Sequence, residues 1–336
     1  MKKILRIAIG ILGISAALYW SVLGVEFDDV IQSIEEADKF LIGAVLLMTS
    51  LNLVIRAAVW KAIVRPMKRV SLLNAFTSYL IGVFSNLFLP FKLGDVAQGY
   101  SLGRRIEISK VSLVSAVLIQ RVFEVASLMV MMLLLAMFFS LPMLFERRTM
   151  LFGITFVSGV TILVLLGKYR ELVVVKSEKL LQRISPSLSV ALLRWFELII
   201  EGTKAIRNVA DISRILFLSI ISWVIQITMA MFMAWALDIR IDFINASIVL
   251  LVINIGLLIP IAPGNIGTFQ FFSILALSWF SVAKSKALSF AILFQVLQGI
   301  PVIMGGGLSM MLEMLSEKLD VERNSKPKID KTERAP

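Results

Sequence analysis

The sequence predicts an all-α, polytopic integral membrane helix bundle of about six spans plus two re-entrant hairpins. Three observations predict it. The chain is 58% hydrophobic over its 336 residues, where a soluble domain holds about 45–50%. Only 17% of the residues are charged, and they gather in short blocks between apolar runs of roughly 18 residues or more, enough to cross about 30 Å of hydrocarbon. Two of those runs are broken by proline and glycine, and these breaks decide the topology.

The first run, residues 4–25, follows Met1-Lys2-Lys3 and precedes Glu26-Phe27-Asp28-Asp29. It is longer than the apolar core of a cleaved signal peptide and reads as a retained span. The second, 40–64, ends at the basic block Arg65-Pro66-Met67-Lys68-Arg69. Residues 70–105 are apolar from 72 to 89, break at Pro90-Phe91-Lys92-Leu93-Gly94-Asp95 and end at Arg104-Arg105. Residues 111–141 and 149–167 are further spans and close the N-terminal membrane half, 1–167. Residues 168–214 mix Leu, Val, Ile and Trp195 with Lys and Arg at near-helical spacing, the pattern of amphipathic helices lying in an interface. The C-terminal half, 215–312, holds a span at 215–237, a run at 243–281 broken at Pro260-Ile261-Ala262-Pro263-Gly264-Asn265-Ile266-Gly267, and a last span at 287–312. Residues 313–336 read as a disordered polar tail.

If every apolar run crossed the membrane, the basic loop 168–214 would lie outside, against the positive-inside rule. The conflict disappears when 70–105 and 243–281 enter and leave on one face. The N-terminus, the loop and the tail then all lie in the cytoplasm of a multi-pass protein of the cell membrane. Leu89-Pro90-Phe91-Lys92-Leu93-Gly94-Asp95 lines up with Ile259-Pro260-Ile261-Ala262-Pro263-Gly264-Asn265, and Ala116-Val117-Leu118-Ile119-Gln120 with Ala291-Ile292-Leu293-Phe294-Gln295. In this topology the first hairpin opens inward and the second outward. The two segments read as an inverted repeat, an arrangement frequent in secondary transporters.

The chain has no cysteine and no histidine. That excludes disulfides, Cys- or His-ligated metals and Ser-His-Asp triads, and no cofactor is expected. The net charge of +11 is assigned to cytoplasmic loops beside anionic lipid headgroups, not to nucleic acid. Lys92 and Asp95 lie in irregular backbone at membrane depth, which is tolerated only inside protein or beside a water-filled cavity. They either form an anion site with free N–H groups, or Lys92 snorkels to the interface while Asp95 caps a half-helix. Arg121 and Glu124 sit three apart on one helix face, deep in an apolar run, where charge needs a partner or a cavity. Arg6, Arg56 and Lys61 read as interface anchors, Gly305-Gly306-Gly307 as a site of close helix approach, and Met129, Met131 and Met132 as lining for a lipid-accommodating groove.

Asn86-Leu87-Phe88-Leu89-Pro90, Gly94-Asp95, Arg121 with Glu124, and Pro260 through Gly267 together resemble the flippase-like membrane region of the lysylphosphatidylglycerol synthases and its stand-alone relatives. The resemblance covers about 40–312. It implies a first re-entrant element built on Asn86, Pro90, Gly94 and Asp95, and a second on Pro263, Gly264 and Gly267. Arg121 and Glu124 become the intramembrane charge pair. The candidate substrate site thus takes Asn86, Lys92, Gly94, Asp95, Arg121 and Glu124 from the first half. From the second it takes Pro263, Gly264, Asn265, Gly267 and Gln270. The chain departs from the family pattern at Gln98, where arginine is frequent, and at Gln270, where glutamate is frequent, as if a matched ion pair had been removed.

The resemblance implies movement of aminoacylated phospholipids, or of polyprenyl-phosphate-linked and other glycolipids, across the membrane. Together with the charges in the first half, the leading expectation is translocation or binding of an anionic phospholipid, a polyprenyl phosphate or a lipid-linked saccharide, with Lys92, Arg121 and hairpin N–H groups on the phosphate. No aminoacyl-transfer domain is present in the sequence, so lipid aminoacylation is not expected of it. Two other readings stay open. One is a membrane-embedded enzyme using Asp95 and Glu124 as acid and base. The other is an assembly subunit that docks through 168–214.

Overall fold

The computed structural model describes residues 18–138, 209–257 and 263–325. The expected span at 4–25 (its last residues apart), the one at 149–167, the basic loop up to residue 208 and the tail beyond 325 lie outside the described residues. The described residues are helical, with no strand among them. In order they are α1 (Phe27–Glu35), α2 (Lys39–Val64), α3 (Leu72–Phe88), α4 (Gly94–Ile106), α5 (Lys110–Phe138), α6 (Val209–Ala236), α7 (Phe243–Gly256), α8 (Thr268–Ser278) and α9 (Lys284–Ser325). Helices α2, α5, α6 and α9 are each long and apolar enough to cross a membrane. They account for four of the expected spans and make the chain a multi-pass helical membrane protein. Helix α6 starts at Val209, so the end of the basic loop is already helical. Helix α9 runs on to Ser325, so residues 313–325, expected in the disordered tail, continue the last span as helix instead.

Short polar side chains start the helices at the two poles of the bundle. Asp38 accepts from the amides of Phe40 and Leu41 (2.8 and 3.1 Å) and starts α2. Ser71 accepts from the Asn74 amide (3.1 Å) and starts α3, and Asp242 from the Asn245 amide (2.7 Å) to start α7. Each satisfies an amide that lacks an intrahelical acceptor. Helix α3 stops because Pro90 forces Leu89 out of the helical region, to φ −94° and ψ 133°.

Two antiparallel helical hairpins result, α3 with α4 and α7 with α8. The first closes at van der Waals contact: Gly94 lies on the Gly82 carbonyl and the Asn86 backbone, where a Cβ would overlap both. In the second, Gly256 lies against the Phe272 ring. Helix α3 has 17 residues and α7 has 14, so at 1.5 Å each they reach about 25 and 21 Å. Neither leg spans about 30 Å.

The hairpins open at opposite poles. At one pole Lys68 Nζ donates to the Ile106 carbonyl (2.5 Å), closing the base of the first hairpin, and Arg105 pairs with Glu313 of α9 (2.8 Å). At the other, the Asp38 amide donates to the Ala236 carbonyl (2.9 Å), and Lys286 lies 3.6 Å from Asp238, at the base of the second hairpin. The 26 residues of α2 separate the poles by about 39 Å. The tips meet between them. Gly264 sits against the Leu87 carbonyl, and the single 3-10 turns Pro90–Lys92 and Pro263–Asn265 touch.

Each hairpin is tied to the long helix that follows it by a glutamine pair. Gln98 Nε2 donates to Gln120 Oε1 (2.9 Å), and Gln270 Nε2 to Gln295 Oε1 (2.6 Å). Gln98 and Gln270, the two departures from the family pattern, are thus each paired within their own half. Each has its own amide partner, and those partners, Gln120 and Gln295, are aligned positions of the two halves. Apolar packing completes the frame: Trp60 is fully buried near the first hairpin, and Phe290 and Phe294 near the second. Gly306 brings α9 against Phe84 and the Leu80 carbonyl of α3, as the glycine run predicts.

Candidate functional site

Where the hairpin tips meet, a cavity of 440 Å³ opens in the middle of the bundle. Helices α2, α3, α5, α6, α7, α8 and α9 and both tips contribute to its wall. Its walls are largely apolar, but two polar groups converge on it, one charged and one neutral.

The charged group is a connected network. Arg121, eleven residues into α5 and so about 16 Å from its start, donates through Nε and Nη2 to the Asp95 carboxylate (3.0 and 2.6 Å) and through Nη1 to Glu124 (2.8 Å). Glu124 also accepts from Arg56 (3.2 Å) and from Gln120 (3.1 Å). Asn86 completes the other end, donating to Asp95 (2.9 Å) and accepting from the Gly94 amide (2.8 Å). Asp95 thus holds Arg121 rather than capping α4, which has no side-chain cap. Two arginines face two carboxylates, so this network is balanced in charge. The forked Arg121–Asp95 pair is the strong, directional kind.

Lys92 is left over. It lines the cavity at the first tip, and its side chain has no hydrogen bond or ion pair among the described residues. Its backbone is left-handed, at φ 55°, uncommon for a residue with a side chain. Among the described residues the cavity therefore carries one unbalanced positive charge, displayed from a tight turn.

The neutral group is made of carboxamides from the second tip, α6, α7 and α9. Asn265, at φ 59° on the second tip, and Gln298 on α9 line the cavity with side chains that make no hydrogen bond among the described residues. Gln226 and Asn254 donate to backbone carbonyls one turn earlier (3.3 and 2.8 Å) and keep their side-chain oxygens for the cavity.

The sequence-derived candidates separate into three positions. Asn86, Lys92, Arg121, Glu124, Gly264 and Asn265 line the cavity. Gly94 and Asp95 stand directly behind them. Pro263, Gly267 and Gln270 do not line it: Pro263 is exposed, and Gln270 is buried, accepting from the Gly267 amide (2.7 Å) to shape the start of α8. Arg56 corrects the sequence reading. It is not an interface anchor but a cavity residue that also lies over the Trp223 ring at 5.9 Å. Eight residues separate it from the end of α2, about 12 Å of helix, and Glu124 draws it inward. The available signal was a polar stripe, Thr49, Asn52 and Arg56, at i, i+3 and i+7. Of the methionines, Met129 lines the cavity, while Met131 and Met132 are buried in the core.

Spanning helices, opposed hairpins and a polar site at mid-depth define a multi-pass membrane protein with an internal substrate-sized chamber. The family model described as the lysylphosphatidylglycerol synthase TM region matches residues 4–306, and the chain belongs to that family. The matched stretch contains both hairpins and every cavity residue, and it relates the protein to lipid biosynthesis and flippase-type function. A comparison with curated proteins returns no match.

Proposed function

We propose that this protein binds an anionic phospholipid, polyprenyl phosphate or lipid-linked saccharide in the central cavity and moves its headgroup across the cell membrane. Lys92 carries the reading. A charge at mid-membrane costs about 2.5–3.5 kcal/mol even on insertion scales, and here the arginines are matched by carboxylates while the lysine is not. An incoming phosphate supplies the missing counter-charge. Because three nitrogens of Arg121 are engaged by Asp95 and Glu124, its part is to position the first tip, and Lys92 is the direct phosphate contact.

The rim fits a lipid. Leu89 and Ile255 line the cavity and are exposed, so apolar surface accompanies the polar groups of the chamber. Acyl or prenyl chains stay in the bilayer, where each CH₂ is worth about 0.8 kcal/mol, and only the headgroup needs the polar path. This is a carrier reading: Asp95 and Glu124 are engaged by arginines, and no step asks either for a proton. Orientation follows from the poles. Arg65, Lys68, Arg69, Arg104, Arg105 and Lys110 cluster at the Lys68 pole, against the fewer Lys39, Arg240, Lys284 and Lys286 toward the other among the described residues. By the positive-inside rule we assign the Lys68 pole to the cytoplasm.

The test is translocation in vesicles reconstituted with the full chain, using an anionic lipid fluorescent at its headgroup and a reductant added outside. Lys92→Gln should slow translocation by about tenfold or more, the scale of one lost charged contact in a dry site, without lowering the unfolding temperature. An unchanged rate removes Lys92 and overturns the reading.

A further inference from the structure

The cavity displays two kinds of polar side chain, and the second kind carries information about the headgroup. The charged ones come from α2, α5 and the first tip; most of the carboxamides come from α6, α7, α9 and the second tip. Among the described residues, the side chains of Asn265 and Gln298 are unpaired and offer both donors and acceptors, and Gln226 and Asn254 offer acceptors. Asn52 accepts from Ser222 (2.8 Å) and keeps its amide hydrogens. Unpaired amide groups at this depth are costly unless a polar ligand or water meets them. A phosphate alone can use only the amide hydrogens of this set and leaves its carbonyl oxygens unmet. An alkylammonium group meets the opposite limit: it can use only the carbonyl oxygens, no carboxylate free of an arginine lines the cavity among the described residues, and Lys92 repels it. Hydroxyl groups, which donate and accept at once, match both kinds of amide atom.

We infer that the cavity selects a lipid whose phosphate carries a polyhydroxylated substituent, a polyol or a sugar, with the phosphate at Lys92 and the hydroxyls on Asn265, Gln298, Gln226 and Asn254. This rests on the anionic-lipid reading above and narrows it. It also disfavours a cationic aminoacylated headgroup, because among the described residues the cavity's carboxylates are already paired with arginines and the lysine repels the extra amine.

Binding of defined lipids to the full-length protein, followed by native mass spectrometry with competition, separates the two layers. The probes are phosphatidylinositol, phosphatidylglycerol, phosphatidic acid and phosphatidylcholine. The proposal expects phosphatidylinositol or phosphatidylglycerol to bind about tenfold more tightly than phosphatidic acid, the effect of one or two hydrogen bonds to otherwise unpaired groups. Which of the two binds more tightly distinguishes a ring polyol from a linear diol. Asn265→Gly keeps the left-handed backbone while deleting the carboxamide, and Gln298→Leu deletes the second. Each should bring polyol-lipid binding down toward that of phosphatidic acid and leave phosphatidic acid binding unchanged, which also reports that the variant is folded. Equal binding of phosphatidic acid and both polyol lipids, all above phosphatidylcholine, overturns the polyol site and leaves the anionic-lipid reading standing. Phosphatidylcholine binding as well as the anionic lipids overturns both.

Discussion

At the scale of single residues, the cavity is a matter of which charges are matched. Arg121 appears in the sequence to have one partner, Glu124, because only that residue is near it in the chain. The fold gives it a second and closer one, Asp95, from a different element, and gives Glu124 a second arginine, Arg56. The compensating changes therefore differ from those the sequence implies. Arg121→Gln strips Asp95 of its cation and should destabilise the protein by about 3 kcal/mol, the lower end for a broken buried pair, since the Arg121 side chain remains 29% exposed. Adding Asp95→Asn leaves Arg56 with Glu124 and should recover most of that loss. Adding Glu124→Gln instead leaves both Arg56 and Asp95 unmatched and should recover little. Thermal unfolding of the purified variants decides between them, and equal recovery by both second changes would mean that Asp95 is not the principal partner.

At the scale of elements, the hairpins depend on a few positions where backbone meets backbone. A Cβ on Gly94 would overlap Gly82 and Asn86, whereas one on Gly43, in the second turn of α2, meets nothing within 4 Å. Gly94→Val should therefore unfold or misplace the first tip and abolish translocation, while Gly43→Ala should be neutral or stabilising by up to about 1 kcal/mol. Comparable loss at both positions, measured by vesicle assay and unfolding temperature, would mean that helix closure does not limit function. The hairpins were legible in the sequence because proline and glycine interrupt long apolar runs, and because basic blocks flank the first one. The cavity was legible only in its charged half. Arg121, Asp95 and Lys92 stand out in apolar surroundings, but Gln226, Asn254 and Gln298 are single amides in hydrophobic helices, and one amide sets no period. Arg56 was misread because its neighbour Lys61 and the basic block after Val64 draw it into an interface pattern, although Thr49 and Asn52 mark the same face as polar. Gln98 and Gln270 show the opposite limit. Their chemistry was visible, but their partners are set by helix packing across more than twenty residues.

At the scale of the molecule, opposed hairpins imply that the two poles face different compartments while the tips share one site. An alternating-access carrier needs this geometry: each hairpin is anchored at its own face and free to vary only where it meets the other. The anchors differ in kind. The first tip is held by charged contacts through Asp95 and Arg121. The second is held by neutral ones, with Gln295 donating to the Gly264 carbonyl (2.8 Å) and Gln270 accepting from Gly267. Neutral amide bonds are weaker than charge-assisted ones, so the second hairpin is the one expected to move first when a headgroup enters. The orientation behind this argument is directly measurable, because the chain has no cysteine and single cysteines can be placed at will. Exposed positions Asp28 and Arg240, toward the Asp38 pole, should react with an impermeant thiol reagent added to intact cells once changed to cysteine. Exposed positions Arg69 and Glu107, at the base of the first hairpin, should react only after the membrane is opened. The contact between Lys68 and the Ile106 carbonyl requires residues 69 and 107 to behave alike. If one of them labels from outside and the other does not, the first hairpin crosses the membrane instead of returning. If both label from outside while Asp28 and Arg240 are protected, the hairpins stand but the molecule is inverted, and the second hairpin rather than the first faces the cytoplasm.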